Sequence, residues 1–167
     1  MANTYVLINS STVGASAVSA ITFSSIPATY TDLLLKTSLR TDLGSIFTTG
    51  YIKFNNVTTN LSAKVLQGSG AAAGSFSLAG FFHDLDSANN TASVFSSVDI
   101  YIPNYASANY KSYSVDAVEE QNGTTAYAEL TAGLWSDTTA INRIDIYPQA
   151  SNFVQYSTAY LYGIKNS

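Results

Sequence analysis

The chain has 167 residues, of which only 11% are charged, and its seven basic and eleven acidic side chains give a net charge of −4. It contains no cysteine and a single histidine, His83, so disulfides and thiolate metal sites are excluded and histidine-dependent chemistry would have to use that residue. Serine (23), threonine (18) and asparagine (13) dominate the polar residues, while aromatic residues reach 13%, a balance that argues against disorder and against an ordinary enzyme.

Apolar and polar side chains alternate along most of the chain with a period of two. In residues 32–40, for example, Leu33, Leu35 and Leu39 face one way and Lys36 and Ser38 face the other, which predicts a half-buried strand. The same pattern predicts about ten strands and no helix. In chain order the predicted strands are residues 5–8, 20–23, 32–40, 51–54, 63–66, 94–102, 112–120, 125–134, 141–147 and 158–165.

Turn-forming residues mark several strand ends. Pro103 has no backbone N–H to give to a sheet and therefore ends the strand at 94–102. Asn122-Gly123 predicts a β-hairpin, because the tight type I′ turn needs positive φ at both central positions. Gly163 lies inside the last predicted strand, which indicates a β-bulge or a close approach of another group to the backbone.

The spacing of the strands predicts one all-β domain over residues 1–167, built as an antiparallel β-sandwich. Short strands that recur every ~8–15 residues, with turn residues between them, are typical of a sandwich or barrel. No change in composition marks a second domain. Residues 1–18 are expected to form an N-terminal arm or the first strand, and the glycine-rich residues 68–80 a flexible loop or a loose edge strand.

The one cluster suited to acid–base or metal chemistry is His83-Asp84-Leu85-Asp86, for which we predict a solvated loop. A stable metal site needs three or four ligands and a supporting shell. Glu119 and Glu120 are neighbours in a predicted strand and point to opposite faces, so they cannot form the facing carboxylate pair of a glycosidase. The sequence therefore predicts no catalytic residue, no metal and no cofactor.

The charges also bear on the partners. The seven lysines and arginines are scattered, with no two adjacent, which argues against nucleic acid as a partner. No apolar run approaches the ~18 residues of a membrane-spanning helix. The apolar residues 13–23 lack a preceding basic segment, so we expect no export signal and no membrane partner. A weakly charged surface gives little repulsion between copies and favours assembly.

The twelve tyrosines are the residues most suited to binding. They cluster at residues 101–113 and 156–162, and tyrosine combines a large apolar face with a polar tip that is enriched at interfaces. Core packing, subunit contact and sugar stacking are all compatible with such clusters. The predicted partner contacts, together with the N-terminal residues 2–9, are Tyr5, Tyr105, Tyr110, Tyr113 and Tyr156.

Three segments resemble small structural proteins of tailed bacteriophages. Residues 26–33 have the sequence IPATYTDL, residues 104–112 have NYASANYKS, and residues 151–157, SNFVQYS, lead into LYGIK at 161–165. The resemblance runs from about residue 20 to the end of the chain. It implies a β-sandwich of jelly-roll type in the virion, on the outer surface of the capsid or in the tail. It carries over no catalytic residue.

The resemblance implies two functions. The first is a non-enzymatic capsid decoration (cement) protein that acts as a homotrimer, with other copies of itself and the major capsid protein or other virion proteins as partners. The alternative is a tail-fibre or baseplate module that binds a glycan of the host surface. An enzyme such as a polysaccharide depolymerase domain is the least favoured hypothesis, because the sequence offers one histidine and no evident carboxylate pair.

Overall fold

A computed structural model describes residues 4–123 and 126–165, and within them it contains twelve β-strands and no helix. The strands are β1 (Tyr5–Thr12), β2 (Ile21–Phe23), β3 (Asp32–Leu39), β4 (Phe47–Phe54), β5 (Leu61–Gly68), β6 (Ala73–Ser77), β7 (Phe81–Asp86), β8 (Ser96–Ile102), β9 (Lys111–Glu119), β10 (Tyr127–Trp135), β11 (Ile144–Pro148) and β12 (Thr158–Ile164). Two antiparallel sheets form, an eight-stranded one ordered β1-β12-β3-β8-β9-β10-β5-β6 and a four-stranded one ordered β2-β11-β4-β7. The all-β prediction is confirmed, and the jelly-roll type stays a prediction.

The core lies between the two sheets. Along β9 every second side chain is buried, as expected for an antiparallel strand with one face turned to the interior. Leu35, Ile100 and Val115 of the large sheet join Ile52 and Ile146 of the small sheet in one buried cluster. Burial of each such side chain stabilises the fold by about 1.5–3 kcal/mol relative to its exposure.

Each of the ten predicted strands overlaps an observed one, and two observed strands were not predicted. β7 is buried at every position, so its sequence shows no alternation. β6 is the edge strand of the large sheet and falls within residues 68–80. The flexible-loop prediction is therefore wrong for residues 73–77, where the edge-strand alternative is confirmed.

The predicted chain ends and turns have mixed outcomes. β1 confirms a first strand within residues 1–18, although the predicted contacts at Ala2 and Asn3 lie outside the described residues. β8 ends at Ile102, directly before Pro103, as predicted. β9 and β10 pair as an antiparallel hairpin, but their last partners are Glu119 and Tyr127, so the pairing stops before Asn122-Gly123 and the two-residue type I′ turn is wrong. The predicted strand start at Thr125 lies outside the described residues.

Two glycines allow large rings to lie directly on the backbone. A Cβ atom at Gly163 would lie 2.3 Å from Cγ of Tyr30, which confirms the predicted close approach. A Cβ atom at Gly133 in β10 would lie 1.9 Å from Cζ of Tyr113 on the neighbouring strand β9. Because Tyr113 is itself buried in the core, its ring has little room to move.

Gly133→Ala is therefore expected to destabilise the protein by about 1–3 kcal/mol through overpacking. Gly74→Ala in β6 is the matched control, since a Cβ atom there would meet nothing within 4 Å and the φ of Gly74 is not in the left-handed region. We expect it to change the free energy of unfolding by less than about 0.5 kcal/mol. Urea unfolding measures both variants, and equal destabilisation would contradict the proposed ring contact.

Candidate functional site

Two of the five predicted contact tyrosines lie in the core. Tyr105 and Tyr113 are only 0% and 2% exposed. The hydroxyl of Tyr105 donates to the carbonyl of Pro27, and the ring of Tyr113 contacts that of Phe54 with centroids 5.7 Å apart. Neither side chain reaches the surface, so the prediction that they contact a partner is wrong for both.

The other three predicted tyrosines are exposed but do not form one patch. Tyr5, Tyr110 and Tyr156 are 57%, 62% and 68% exposed. Tyr5 lies on the edge strand β1, whereas Tyr110 and Tyr156 lie in loops before β9 and β12. Because β9 and β12 run in opposite directions in the sheet, these two loops lie at opposite ends of the sandwich.

The surface that the sequence analysis missed is the outer face of the eight-stranded sheet, the face turned away from the four-stranded sheet. Leu66 and Leu130 are direct cross-strand partners on β5 and β10, and they are 55% and 56% exposed. Val118 and Leu134 are exposed nearby on β9 and β10. The solvent face of an antiparallel sheet is normally polar, so adjacent exposed leucines indicate an interaction surface. We call these four residues the leucine group.

A second apolar group lies across the same outer face. It consists of Tyr5 and Leu7 on β1, Tyr101 on β8 and Tyr160 on β12, all of them exposed. Their strands lie on the opposite side of the sheet from β10 and β5. We call these four residues the tyrosine group, and the outer face therefore carries two different apolar groups on its two sides.

A polar strip separates the two groups. Lys36, Asp99 and Asp116 are neighbours on β3, β8 and β9, where Lys36 Nζ donates to Asp99 and Asp99 lies directly opposite Asp116. Two like charges in cross-strand register are unfavourable for the sheet. A hollow of about 400 Å³ lies here, and its lining also includes Ser38 and Tyr160. The strip holds three of the four exposed charged side chains of the face in the described strands, and the fourth is Lys64 on β5.

The predicted loop at His83-Asp84-Leu85-Asp86 is instead the buried strand β7, so the prediction of a solvated loop is wrong. β7 is the edge of the small sheet and packs against the inner face of the large one. His83 Nδ1 donates to Oε2 of Glu129 over 2.6 Å, and both side chains are completely buried. Gln67 Nε2 donates to the other carboxylate oxygen over 2.7 Å, so Glu129 connects three strands.

Further acidic groups lie beside this hydrogen-bonded pair. Burial raises the pKa of Asp84 to about 6, with a further contribution from the charge of Glu129. Burial, followed by the charge of Asp86, raises the pKa of Glu119 to about 8. Glu119 is buried and Glu120 is exposed, as predicted for neighbours in a strand. The carboxyl group that lies beside Glu119 is that of Asp86, which the fold brings there from β7.

This buried cluster is closed to a substrate in the described structure. Asp86, Glu119 and His83 have no solvent-exposed surface, so a substrate has no route to their polar atoms. Within residues 4–123 and 126–165, no three histidine or acidic side chains are arranged as ligands of one metal ion. The arrangement joins the two sheets.

Comparison with known proteins adds no assignment. The sequence matches no protein family, and no curated protein matches it significantly. In the described part of the chain, no helix has the length and apolar character needed to cross a membrane.

Proposed function

We propose that this chain is a non-enzymatic structural protein of a tailed-phage virion, a capsid decoration protein that assembles with other copies of itself through the outer face of the large sheet. The observation that carries the proposal is the exposed Leu66–Leu130 pair on the regular strands β5 and β10, where alternation would place polar side chains. The phage setting is supported by the sequence resemblance alone.

The size of the outer face suits a subunit interface. The eight strands lie about 4.8 Å apart, and most of them have seven to nine residues with a rise of about 3.3 Å per residue. The face therefore covers roughly 900 Å². This is close to the ~800 Å² that each partner buries in a standard stable interface. The face is therefore large enough for contacts with neighbouring copies, and in a ring, where two neighbours share it, each contact buries about half of this area.

The charges on the face favour another copy of the chain over a strongly charged partner. The exposed ones, Lys36, Lys64, Asp99 and Asp116, sum to zero, and Asp32 is buried at the edge of the face, where it accepts from the Tyr101 hydroxyl. Most of the net charge of −4 therefore resides elsewhere on the chain, and copies meet at this face with little net repulsion. An acidic or basic partner would therefore gain little electrostatic attraction from this face.

The two apolar groups suggest how the copies are arranged. A head-to-tail interface joins two different patches and closes into a ring when the rotation permits. The leucine group of one copy can contact the tyrosine group of the next, which agrees with the homotrimer implied by the resemblance. Tyr110 and Tyr156, exposed in the end loops, are then available to the major capsid protein or other virion proteins.

Such a protein would act by mass action. A subunit that binds the assembled shell and not its separate components stabilises the shell by the free energy of that binding. Since the proposed contacts involve few charges, binding is expected to depend weakly on salt.

The test is rebinding to phage shells from which this protein has been removed. Co-sedimentation should show saturable binding of the wild-type protein and binding at least tenfold weaker for Leu66→Lys/Leu130→Lys, because two apolar contacts are replaced by charges. Ile46→Lys is the matched control, since Ile46 is also partly exposed but lies in the loop between β3 and β4. Absence of binding, or equal binding by the double variant, would overturn the proposal.

The alternative function, a tail module that binds a host glycan, has one observation in its favour. The hollow at the polar strip combines the ring of Tyr160 with carboxylates of Asp99 and Asp116 and with serine hydroxyls, a set that suits stacking and hydrogen bonding to a sugar. Binding to a glycan array that one saccharide competes and that Asp116→Ala abolishes would favour this alternative over capsid decoration.

A further inference from the structure

Asp86 at the end of β7 and Glu119 at the end of β9 form a buried pair of carboxyl groups, both with no exposed surface. The Asn90 side-chain amide joins them, because its Nδ2 donates to Oδ1 of Asp86 and, over 2.8 Å, to Oε1 of Glu119. Ser96 Oγ donates to the second Asp86 oxygen over 3.1 Å. The second Glu119 oxygen, Oε2, is buried and has no hydrogen-bond partner among the described residues.

This geometry requires one proton on the pair. Two ionised carboxylates side by side in the interior would repel each other, and an ionised Glu119 would leave Oε2 charged without a donor. Burial and the charge of Asp86 raise the pKa of Glu119 to about 8, so at pH 7 Glu119 is mainly neutral. Both carboxyl oxygens of Asp86 accept hydrogen bonds, from Asn90 and Ser96. Burial also raises the pKa of Asp86, while Ser96 and Arg40 oppose that rise.

The surrounding charged groups do not remove the need for this proton. His83 on β7 is engaged by Glu129 of β10, and Asp84 on β7 adds to the negative charge around Glu119. Arg40, directly after β3, lies near Asp86, but its guanidinium hydrogen-bonds to backbone carbonyls. The carbonyls that accept from it are those of Ala88, Asn90, Thr91 and Val94.

The same groups hold a loop in place. Residues 87–95 connect β7 to β8, and four of their carbonyls accept hydrogen bonds from Arg40. Asn90 belongs to this loop, so its amide ties the loop to both carboxyl groups. Thr91 Oγ1 also donates to the carbonyl of Gln121, beyond the end of β9, over 2.6 Å. Residues 87–89 are held separately, by backbone hydrogen bonds to residues 43–46. Asn90 is the loop residue whose side chain joins the carboxyl groups at the ends of β7 and β9.

We propose that the Asp86–Glu119 pair holds a single proton that keeps the ends of β7 and β9 joined through Asn90, and that loss of this proton loosens this junction. Ionisation places two negative charges side by side in the interior, and when they separate the Asn90 amide can follow only one of them. The junction of Asp86, Glu119 and Asn90 is then a proton-controlled contact at one end of the sandwich. This inference does not depend on the proposed function.

The direction of the pH effect follows from the pKa. When the pKa of an acid is higher in the folded than in the unfolded protein, the folded state binds more protons at every pH between the two pKa values. Stability therefore falls as the pH rises through this range. Stability from Glu119 is therefore highest below about pH 4.5 and falls as the pH rises to about 8. Asp84 acts in the same direction between pH 3.8 and about 6, so an effect between pH 7 and 9 belongs to the pair.

The test is hydrogen–deuterium exchange of wild-type protein, Glu119→Gln and Glu120→Gln, compared at the same pH so that intrinsic exchange rates are equal. At pH 6 the three proteins should exchange alike in residues 90–95. At pH 9 these amides should exchange at least tenfold faster in the wild type and in Glu120→Gln, the exposed matched control, than in Glu119→Gln. Equal exchange of wild type and Glu119→Gln at pH 9, or acceleration spread equally over the whole chain, would overturn the proposal.

A second measurement needs no variant and keeps the proposal testable if Glu119→Gln does not fold. Infrared spectra of the wild-type protein should show a protonated-carboxyl band at pH 7 that is lost by about pH 9.5, above the pKa of a buried acid near 8. Absence of this band at pH 7 would contradict the shared proton directly.

Discussion

Replacing Glu129 by methionine is expected to lower the free energy of unfolding by about 3–5 kcal/mol, whereas replacing Glu129 and His83 together should cost less than the two single changes combined. Glu129 Oε2 accepts from His83 Nδ1 over 2.6 Å and from the backbone N–H of Asp84 over 3.1 Å, while Gln67 donates to its other oxygen. Loss of the carboxylate leaves His83 without its partner in a completely buried position.

The measurement is a double-mutant cycle with Glu129→Met, His83→Leu and the double variant, followed by urea unfolding. We expect a coupling free energy of about 2 kcal/mol or more, because the double variant leaves neither member of the pair unpartnered. The exposed pair Lys36–Asp99, whose side chains are 49% and 42% exposed, is the matched control and should show a coupling below about 1 kcal/mol. Equal coupling in the two pairs would contradict the structural role of Glu129.

The strands that the sequence revealed are those with one buried face. In β9 the alternation of Val115 and Ala117 with polar neighbours reports the pleat directly, and β3 behaves in the same way. β7 could not be recognised from this pattern, because it is buried on both faces and carries three ionisable side chains that are ordinarily exposed. Its partner Glu129 lies far along the chain, and no local pattern reports such a contact.

The tyrosine predictions show the same limit. Tyr113 lies two residues before Val115 on β9, so the alternation of buried and exposed side chains already placed it on the buried face. Its position in this alternation predicted its burial better than its residue type did. Tyr105 lies in a loop, where no periodicity exists to reveal its burial. The exposed Leu130 was detectable as an apolar residue out of phase with the buried Thr131 and Trp135 of β10. The phage assignment remains a proposal supported by the resembling segments.

Light scattering coupled to size-exclusion chromatography tests most directly whether copies of this chain meet at the outer face of the large sheet. The wild-type protein should have a mass that is a multiple of 17.7 kDa, three times that value for the proposed trimer. Leu66→Lys/Leu130→Lys should elute as a monomer, because each lysine would have to lose its hydration inside an apolar contact, while Ile46→Lys should retain the wild-type mass. A wild-type protein that stays at 17.7 kDa at high concentration, or a double variant that keeps the wild-type mass, would contradict assembly through this face.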